Sequence, residues 1–192
     1  MSLGEGAAIL VLEGLDEAMK RGARIYAEFL GYGIGGEAHH ITAPEPAGAA
    51  EARIMGKALE ESGIKPSDVN YINAHGTGTP LNDKVETLSI KKLFGERAYS
   101  IPVSSIKSMV GHCLGSAGAI EAVASILSII HGFVPPTVNH QEGDEDCDLD
   151  YVPGRSREAN VKVVLSNSFA FGGNCTTLVF GKYWASLSSH KP

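Results

Sequence analysis

From Ser116 to His131 the chain carries Ala117, Ala119, Ile120, Ala122, Val123, Ala124, Ile126, Leu127, Ile129 and Ile130, so a helix drawn here is apolar almost all the way round. A helix with no polar face cannot lie on a surface; it belongs between two layers. The rest of the chain must therefore supply those layers. A single carboxylate, Glu121, interrupts the apolar run, and burial there obliges it to find a partner. Gly111, Gly115 and Gly118, around the start of the helix, would let backbone approach backbone.

Around that helix the 192 residues are enough for one compact domain with a substantial core. The continuous apolar run Ala7 to Glu13 predicts a strand covered on both faces. Leu15 to Gly22 reads as a short exposed helix or loop, and Ala23 to Leu30 as a second strand that ends in turn glycines Gly31, Gly33, Gly35 and Gly36. Helical spacing runs from Ala49 to Ser62, with Gly63 as its C-cap. Strands follow at Val69–His75, Pro102–Ser105, Val161–Leu165 and Thr176–Phe180, with a helix over Asp83–Phe94. Strands alternating with crossover-length helices imply an α/β fold with a mixed sheet.

Several functional classes fall away. A net charge of −6 with no basic cluster leaves nothing to neutralise phosphates, so nucleic acid is not an expected partner. Cys113, Cys147 and Cys175 are odd in number and unpaired in spacing, which points to free thiols in a reducing compartment. The sequence reads as having neither a stretch of about 18 apolar residues nor a signal peptide. The expectation is a soluble, cytoplasmic chain with no membrane partner. Gly31-Tyr32-Gly33-Ile34-Gly35-Gly36 matches a dinucleotide fingerprint, but the helix that would face the pyrophosphate is missing. Asp144 to Asp150 resembles a calcium loop yet lacks the glycine at position six and the glutamate at position twelve. Cys147 sits among carboxylates that raise a thiol pKa, so it is a poor nucleophile. His39, His40 and His131 read as surface or loop residues.

Two histidines are different. His75 closes a strand and opens directly into Gly76-Thr77-Gly78-Thr79-Pro80, which places it in the crevice at the strand's carboxyl end, where open α/β folds bind ligands. Thr77 and Thr79 present two hydroxyls to an extended ligand. Ser105-Ile106-Lys107-Ser108-Met109-Val110-Gly111-His112 repeats the pattern ahead of the apolar helix. Two histidines at strand-to-helix turns, each beside glycine, read as one site.

Here the chain resembles the β-ketoacyl-acyl carrier protein synthases, the type II elongating, synthase II-like condensing enzymes of the thiolase-like superfamily. The resemblance rests on Gly4-Glu5-Gly6-Ala7, Asn73 to Thr79, Lys107 to Gly118, Cys147 to Pro153 and Asn167 to Gly173, and covers Gly4 to about Tyr183. It implies a thiolase-like half, an α/β mixed five-stranded sheet covered by helices on both faces. Residues 4–183 would be the synthase C-terminal domain, Met1 to Leu3 an expression scar, and residues 184–192 a flexible tail.

The same resemblance implies decarboxylative condensation of malonyl-acyl carrier protein with an acyl thioester. His75 and His112 would donate N–H groups to the enolate oxygen, and Lys107 would organise the site electrostatically. Thr77 and Thr79 would bind the phosphopantetheine arm, and Phe171 would gate the site on a loop with Phe169, Gly172 and Gly173. No cofactor is required. A structural cation would sit among Asn73, Glu121, Ser166 and Asn167; a salt bridge from Glu121 to Lys107 is the equal alternative. The implied partners are acyl carrier protein, an N-terminal half that holds the nucleophilic cysteine, and a second copy in a homodimer. A non-catalytic partner resembling a chain-length factor and a polyketide ketosynthase fragment are the rival readings. Cys175 and Ala170 stand where the family carries asparagine and glycine.

Overall fold

The computed structural model describes residues 1–141 and 143–184. In chain order its elements are α1 (Leu15–Lys20), β1 (Glu28–Gly36), α2 (Ala49–Ser62), β2 (Tyr71–Asn73), α3 (Pro80–Phe94), β3 (Val103–Ser104), α4 (Lys107–Val110), α5 (Ala117–His131), β4 (Phe133–Val134), β5 (Arg157–Glu158), β6 (Val163–Ala170) and β7 (Asn174–Gly181). The main sheet has five strands in the order β1-β7-β6-β2-β3. β2 runs parallel to β3 and β6, while β7 is antiparallel to β6 and β1. This is the mixed α/β sheet expected. The two-stranded ribbon of β4 and β5 is an addition.

Alternation along β6 builds both faces of the sheet, since successive side chains point opposite ways. Val163 and Leu165 join Met55 and Leu59 of α2 and Ile90 and Phe94 of α3. Val164 joins Tyr71, with Ala122 and Ile129 of α5. Residues such as Ile54, Ile72, Ile90 and Leu165 are completely enclosed, each contributing about 1.5–3 kcal/mol relative to exposure. α2 stops where Gly63 turns left-handed (φ 66°) and Ile64 donates its N–H back to the Leu59 carbonyl, a glycine termination. α3 starts at Pro80, whose fixed φ and missing N–H suit a first helical position.

The structure corrects the sequence reading at several points. β1 starts at Glu28, not Ala23, and runs through the glycines taken for a turn. A Cβ on Gly33 would lie 2.2 Å from the Ile54 carbonyl oxygen, and one on Gly31 3.0 Å from the Ser62 nitrogen. The glycines bring α2 flush against the strand. Gly111 has the close approach expected of it, its Cβ falling 2.8 Å from the Gly4 nitrogen, whereas Gly115 has no such neighbour and Gly118 meets only Ser168 Oγ at 3.4 Å. Phe169 and Ala170 belong to β6, so only Phe171–Gly173 forms the turn of a β6–β7 hairpin.

Ala7–Glu13 forms no strand, and Ile9, Val11 and Leu12 are 89%, 88% and 70% exposed. A strand needs a ladder partner for its N–H and C=O groups, and none of the described strands offers one. α5 is covered on one side only. Glu121, Ala122, Ser125, Ser128 and Ile129 face inward, while Leu127 is exposed and Ile120, Val123 and Ile130 are half-buried. By length and composition Leu114–His131 is long and apolar enough to cross a membrane, contrary to the expectation that no such stretch exists. Here it is a core helix packed on β6 and β7. Ser2 and Gly4 hydrogen-bond the His112 main chain at 2.8 and 3.1 Å. The tail placed at 184–192 lies, apart from Trp184, outside the described residues.

The Gly33 contact yields a test. Gly33→Ala forces α2 off β1 and should destabilise the chain by about 1–3 kcal/mol, lowering its melting temperature by several degrees. Gly115→Ala, with nothing near its Cβ, should leave the melting temperature within a degree or two of the parent chain.

Candidate active site

β2 delivers His75 to its carboxyl end, where four hydrogen bonds fix the turn. The Glu86 carboxylate of α3 accepts the His75 N–H at 2.9 Å and the Gly76 N–H at 2.8 Å, and Asn167 Nδ2 of β6 donates to it at 3.1 Å. Ser105 Oγ donates to the Gly76 carbonyl at 2.7 Å. Gly76 has φ 42°, and a Cβ there would fall 2.5 Å from that of Ser105, so no other residue fits the turn.

His112 follows α4, and its Nδ1 accepts the Leu114 N–H at 3.2 Å. The proton of the neutral ring is therefore on Nε2, leaving an N–H donor. The rings of His75 and His112 meet edge-on, with centroids 5.5 Å apart and planes at 83°, and the Phe169 ring lies 5.9 Å from His75 on another side. Thr77, Lys107 and His112 line a cavity of about 640 Å³ with Ser105 and Tyr151. Thr77 and Thr79 bring their hydroxyls to 2.8 Å of one another.

Both imidazoles are held neutral. Burial, followed by the Lys107 ammonium and His112, pushes the His75 pKa down to about 2, and burial with Lys107 lowers His112. His75 Nδ1 is buried without a partner. Lys107 itself is buried and donates to Glu121 Oε1, so the sequence alternative of a salt bridge is realised. Burial raises the Glu121 carboxyl to about 7 against the pull of Lys107.

The proposed cation ligands divide. Asn73 Nδ2 donates to Ser166 Oγ at 3.1 Å, and Asn167 Oδ1 accepts from Thr177 at 2.9 Å. Glu121 Oε2 remains a buried oxygen without a hydrogen-bond partner. Carboxylate, amide and hydroxyl oxygens are the donor chemistry of a hard cation, and the orphaned Oε2 fits one.

Phe171 is 73% exposed at the hairpin tip. Its turn is tied to the loop after β1: Gly172 donates its N–H to the Ile41 carbonyl at 2.7 Å, and Glu37 donates to the Gly173 carbonyl at 2.9 Å. Phe169 is buried instead, packed with Ile54 and Cys175. All three cysteines are free. Cys113 Sγ faces the Val110 and Gly111 carbonyls at 3.8 and 3.9 Å. Burial, then Asp144 and Asp83, raises Cys147, and burial pushes Cys175 up to about 12.

Sequence reasoning missed Glu86 and Ser105. The signal for Glu86 was present, since it shares a helix face with Ser89 and Ile90. That is the same buried-carboxylate signal that singled out Glu121.

Comparison with known proteins shows the family of the chain. Residues 26–141 match the β-ketoacyl synthase C-terminal domain. The 3-oxoacyl-[acyl-carrier-protein] synthase 2 of Synechocystis sp. is 55% identical over 181 residues, which is 94% of this chain and 44% of the relative. Its namesake in Staphylococcus aureus is 50% identical over 183 residues, covering 95% and 44%. The chain thus spans less than half the length of the curated relatives it matches. Among solved structures, the ishigamide ketosynthase/chain length factor superimposes with a TM-score of 0.91 at 48% identity, covering 95% of this chain and 44% of that one. A β-ketoacyl synthase from Burkholderia phymatum gives 0.84 at 40%, covering 90% and 41%.

Two outcomes follow from the site's charges. Lys107→Met strands a buried carboxylate and should cost about 3–5 kcal/mol, much of it regained in Lys107→Met/Glu121→Gln; thermal melting of the three chains checks this. His75 has a folded pKa of about 2 against 6.5 unfolded, so its contribution to stability is present above pH 6.5 and lost as pH falls. Melting temperature should decline below pH 6.5, and His75→Gln should flatten that slope.

Proposed function

The chain belongs to the β-ketoacyl synthase family as its C-terminal domain, and on that premise we propose that it carries the decarboxylation machinery of an acyl-elongating synthase. The supporting observation is the edge-on pair of neutral imidazoles 5.5 Å apart beside a buried ammonium. Malonyl-acyl carrier protein loses carbon dioxide when the electrons of the breaking Cα–carboxyl bond form an enolate. Its oxygen is stabilised by N–H donors placed in advance. His112 Nε2–H is one, and His75, its ring also neutral, is the other. The enolate carbon then attacks the acyl thioester carbonyl, and the cysteine thiolate leaves.

Lys107 keeps both rings in the donor form, because a second positive charge beside its ammonium is disfavoured. Thr77 and Thr79 bind the amides of the phosphopantetheine arm that brings each substrate from acyl carrier protein. The exposed Phe171, on its glycine turn with Gly172 and Gly173, gates entry, and Phe169 anchors that turn. A bound cation would neutralise Glu121, and Asn73, Glu121, Ser166 and Asn167 would hold it.

The domain, residues 4–183, works with an N-terminal half that supplies the nucleophile. Cys113 and Cys175 are buried and burial raises the Cys147 thiol, so none of the three has the setting of an attacking thiolate. Ile9, Val11 and Leu12 are exposed and α5 is open on one side; the N-terminal half covers these apolar residues, in a cytoplasmic homodimer. A solved relative is titled ketosynthase/chain length factor, so a non-catalytic partner subunit is the second reading. A scaffold has no use for His75, Lys107 and His112 together.

In the full-length protein, His75→Ala and His112→Ala should each abolish carbon dioxide release from malonyl-acyl carrier protein while acylation of the cysteine persists. Unchanged release in either variant sinks the assignment. The 192-residue chain alone should form no β-ketoacyl product from labelled malonyl-acyl carrier protein. Phe171→Ala should slow acyl transfer and leave melting almost unmoved.

A further inference from the structure

We propose that Glu51 is a neutral carboxylic acid whose proton clasps α2 to α3, making it a positioning residue for the turn that carries His75. The inference goes beyond the reaction proposed above, and its test reads the chain itself. Glu51 lies in the first turn of α2 and is 1% exposed. Its Oε2 is 2.9 Å from Ser89 Oγ of α3, and Ser89 Oγ is also 2.7 Å from the Val85 carbonyl oxygen and 3.0 Å from that of Gly48.

A hydroxyl has one hydrogen to give, and carbonyl oxygens only accept. If Ser89 donates to Val85, the short Oε2 contact needs a hydrogen of its own, and Glu51 must supply it. The contact between Glu51 Oε2 and Ser89 Oγ is direct, 2.9 Å leaving no place for a water between them. Glu51 Oε1 is buried with no hydrogen-bond partner, a poor place for a carboxylate and a tolerable one for the carbonyl of an acid.

The charged groups around Glu51 favour the same state, against the Ser89 hydroxyl, which would lower the pKa where it donates to a carboxylate. Glu86 faces it from α3, Glu37 from the end of β1 and Glu45 from the loop before α2, while β7 contributes the Cys175 thiol. Arg53 of α2 donates to the Gly36 carbonyl. Burial first, and Glu86 next, raise the Glu51 pKa to about 8. Ser89 is one helical turn after Glu86, whose carboxylate holds the His75 and Gly76 N–H groups. Ionising Glu51 would remove the clasp and set a second negative charge beside Glu86. The folded pKa lies above the ordinary glutamate value of 4.5, so the stabilisation is complete below that value and lost as pH rises through about 8.

Infrared spectra of the chain carrying ¹³C-labelled glutamate, melting curves, and ring resonances of His75, each from pH 6.5 to 9.5, test the clasp. The expected result is a protonated-carboxyl band that vanishes with a midpoint near 8 and is missing from Glu51→Gln. Melting temperature and the His75 resonance should move with that midpoint in the parent chain and lose that component in Glu51→Gln, whose amide still donates to Ser89, leaving only the change near 7 that Glu121 contributes to both chains. Ser89→Ala removes the acceptor of the proton and should shift the midpoint down. No band component assignable to Glu51, the same slope in Glu51→Gln, or an unmoved or raised midpoint in Ser89→Ala would overturn the proposal.

Discussion

The Glu86 carboxylate is the knot on which the site depends. It gathers the His75 and Gly76 amides from the end of β2 and the Asn167 side chain from β6 onto α3. Hydrogen bonds to an ionised acceptor are the strong ones, and here they join three elements that are far apart in the chain. Burial nonetheless raises the pKa of Glu86, the bonds only partly offsetting it. A charge enclosed this completely is costly unless every lone pair is used, so the turn is held to one conformation. The orientation of the His75 ring is set by main-chain geometry before any ligand arrives.

Lys107 and Glu121 act on the same site by field rather than by contact. The pair is enclosed where α4 faces α5, and after burial its ammonium is what lowers the pKa of both histidines. Replacing the pair by apolar groups could keep the fold, because buried ion pairs are weak sources of stability. The histidines would then lose one of the influences that keep them neutral.

Much of this was legible in the sequence. The helix at Ala49–Ser62 followed from apolar spacing and a terminal glycine, the helix from Ser116 to His131 from its all-round apolar run, and the clustering of His75 with His112 from repeated turn chemistry. Where the reading failed, the cause was an interaction that local pattern does not encode. Gly31 to Gly36 looks like a turn until α2 is laid against it. Ala7–Glu13 has the composition of a strand, but its ladder partner is not among the described residues. Glu86 was overlooked although it shares a helix face with Ser89 and Ile90, because Asp83, Lys84, Lys91 and Lys92 make its helix read as solvent-facing.

The tie between the hairpin tip and the loop after β1 consists of two main-chain hydrogen bonds, Gly172 to Ile41 and Glu37 to Gly173. Each is worth about 0.5–1.5 kcal/mol net, so the docked form of the tip outnumbers the released form by roughly five- to 150-fold. Side-chain changes in either loop leave those bonds in place, and the ratio can drift only through backbone freedom. Ala170, at the edge of the turn, has less of that freedom than glycine. If Phe171 gates the site as proposed, its opening frequency would depend on the chain's stiffness at Ala170, and two relatives with identical site chemistry could differ in turnover for that reason alone.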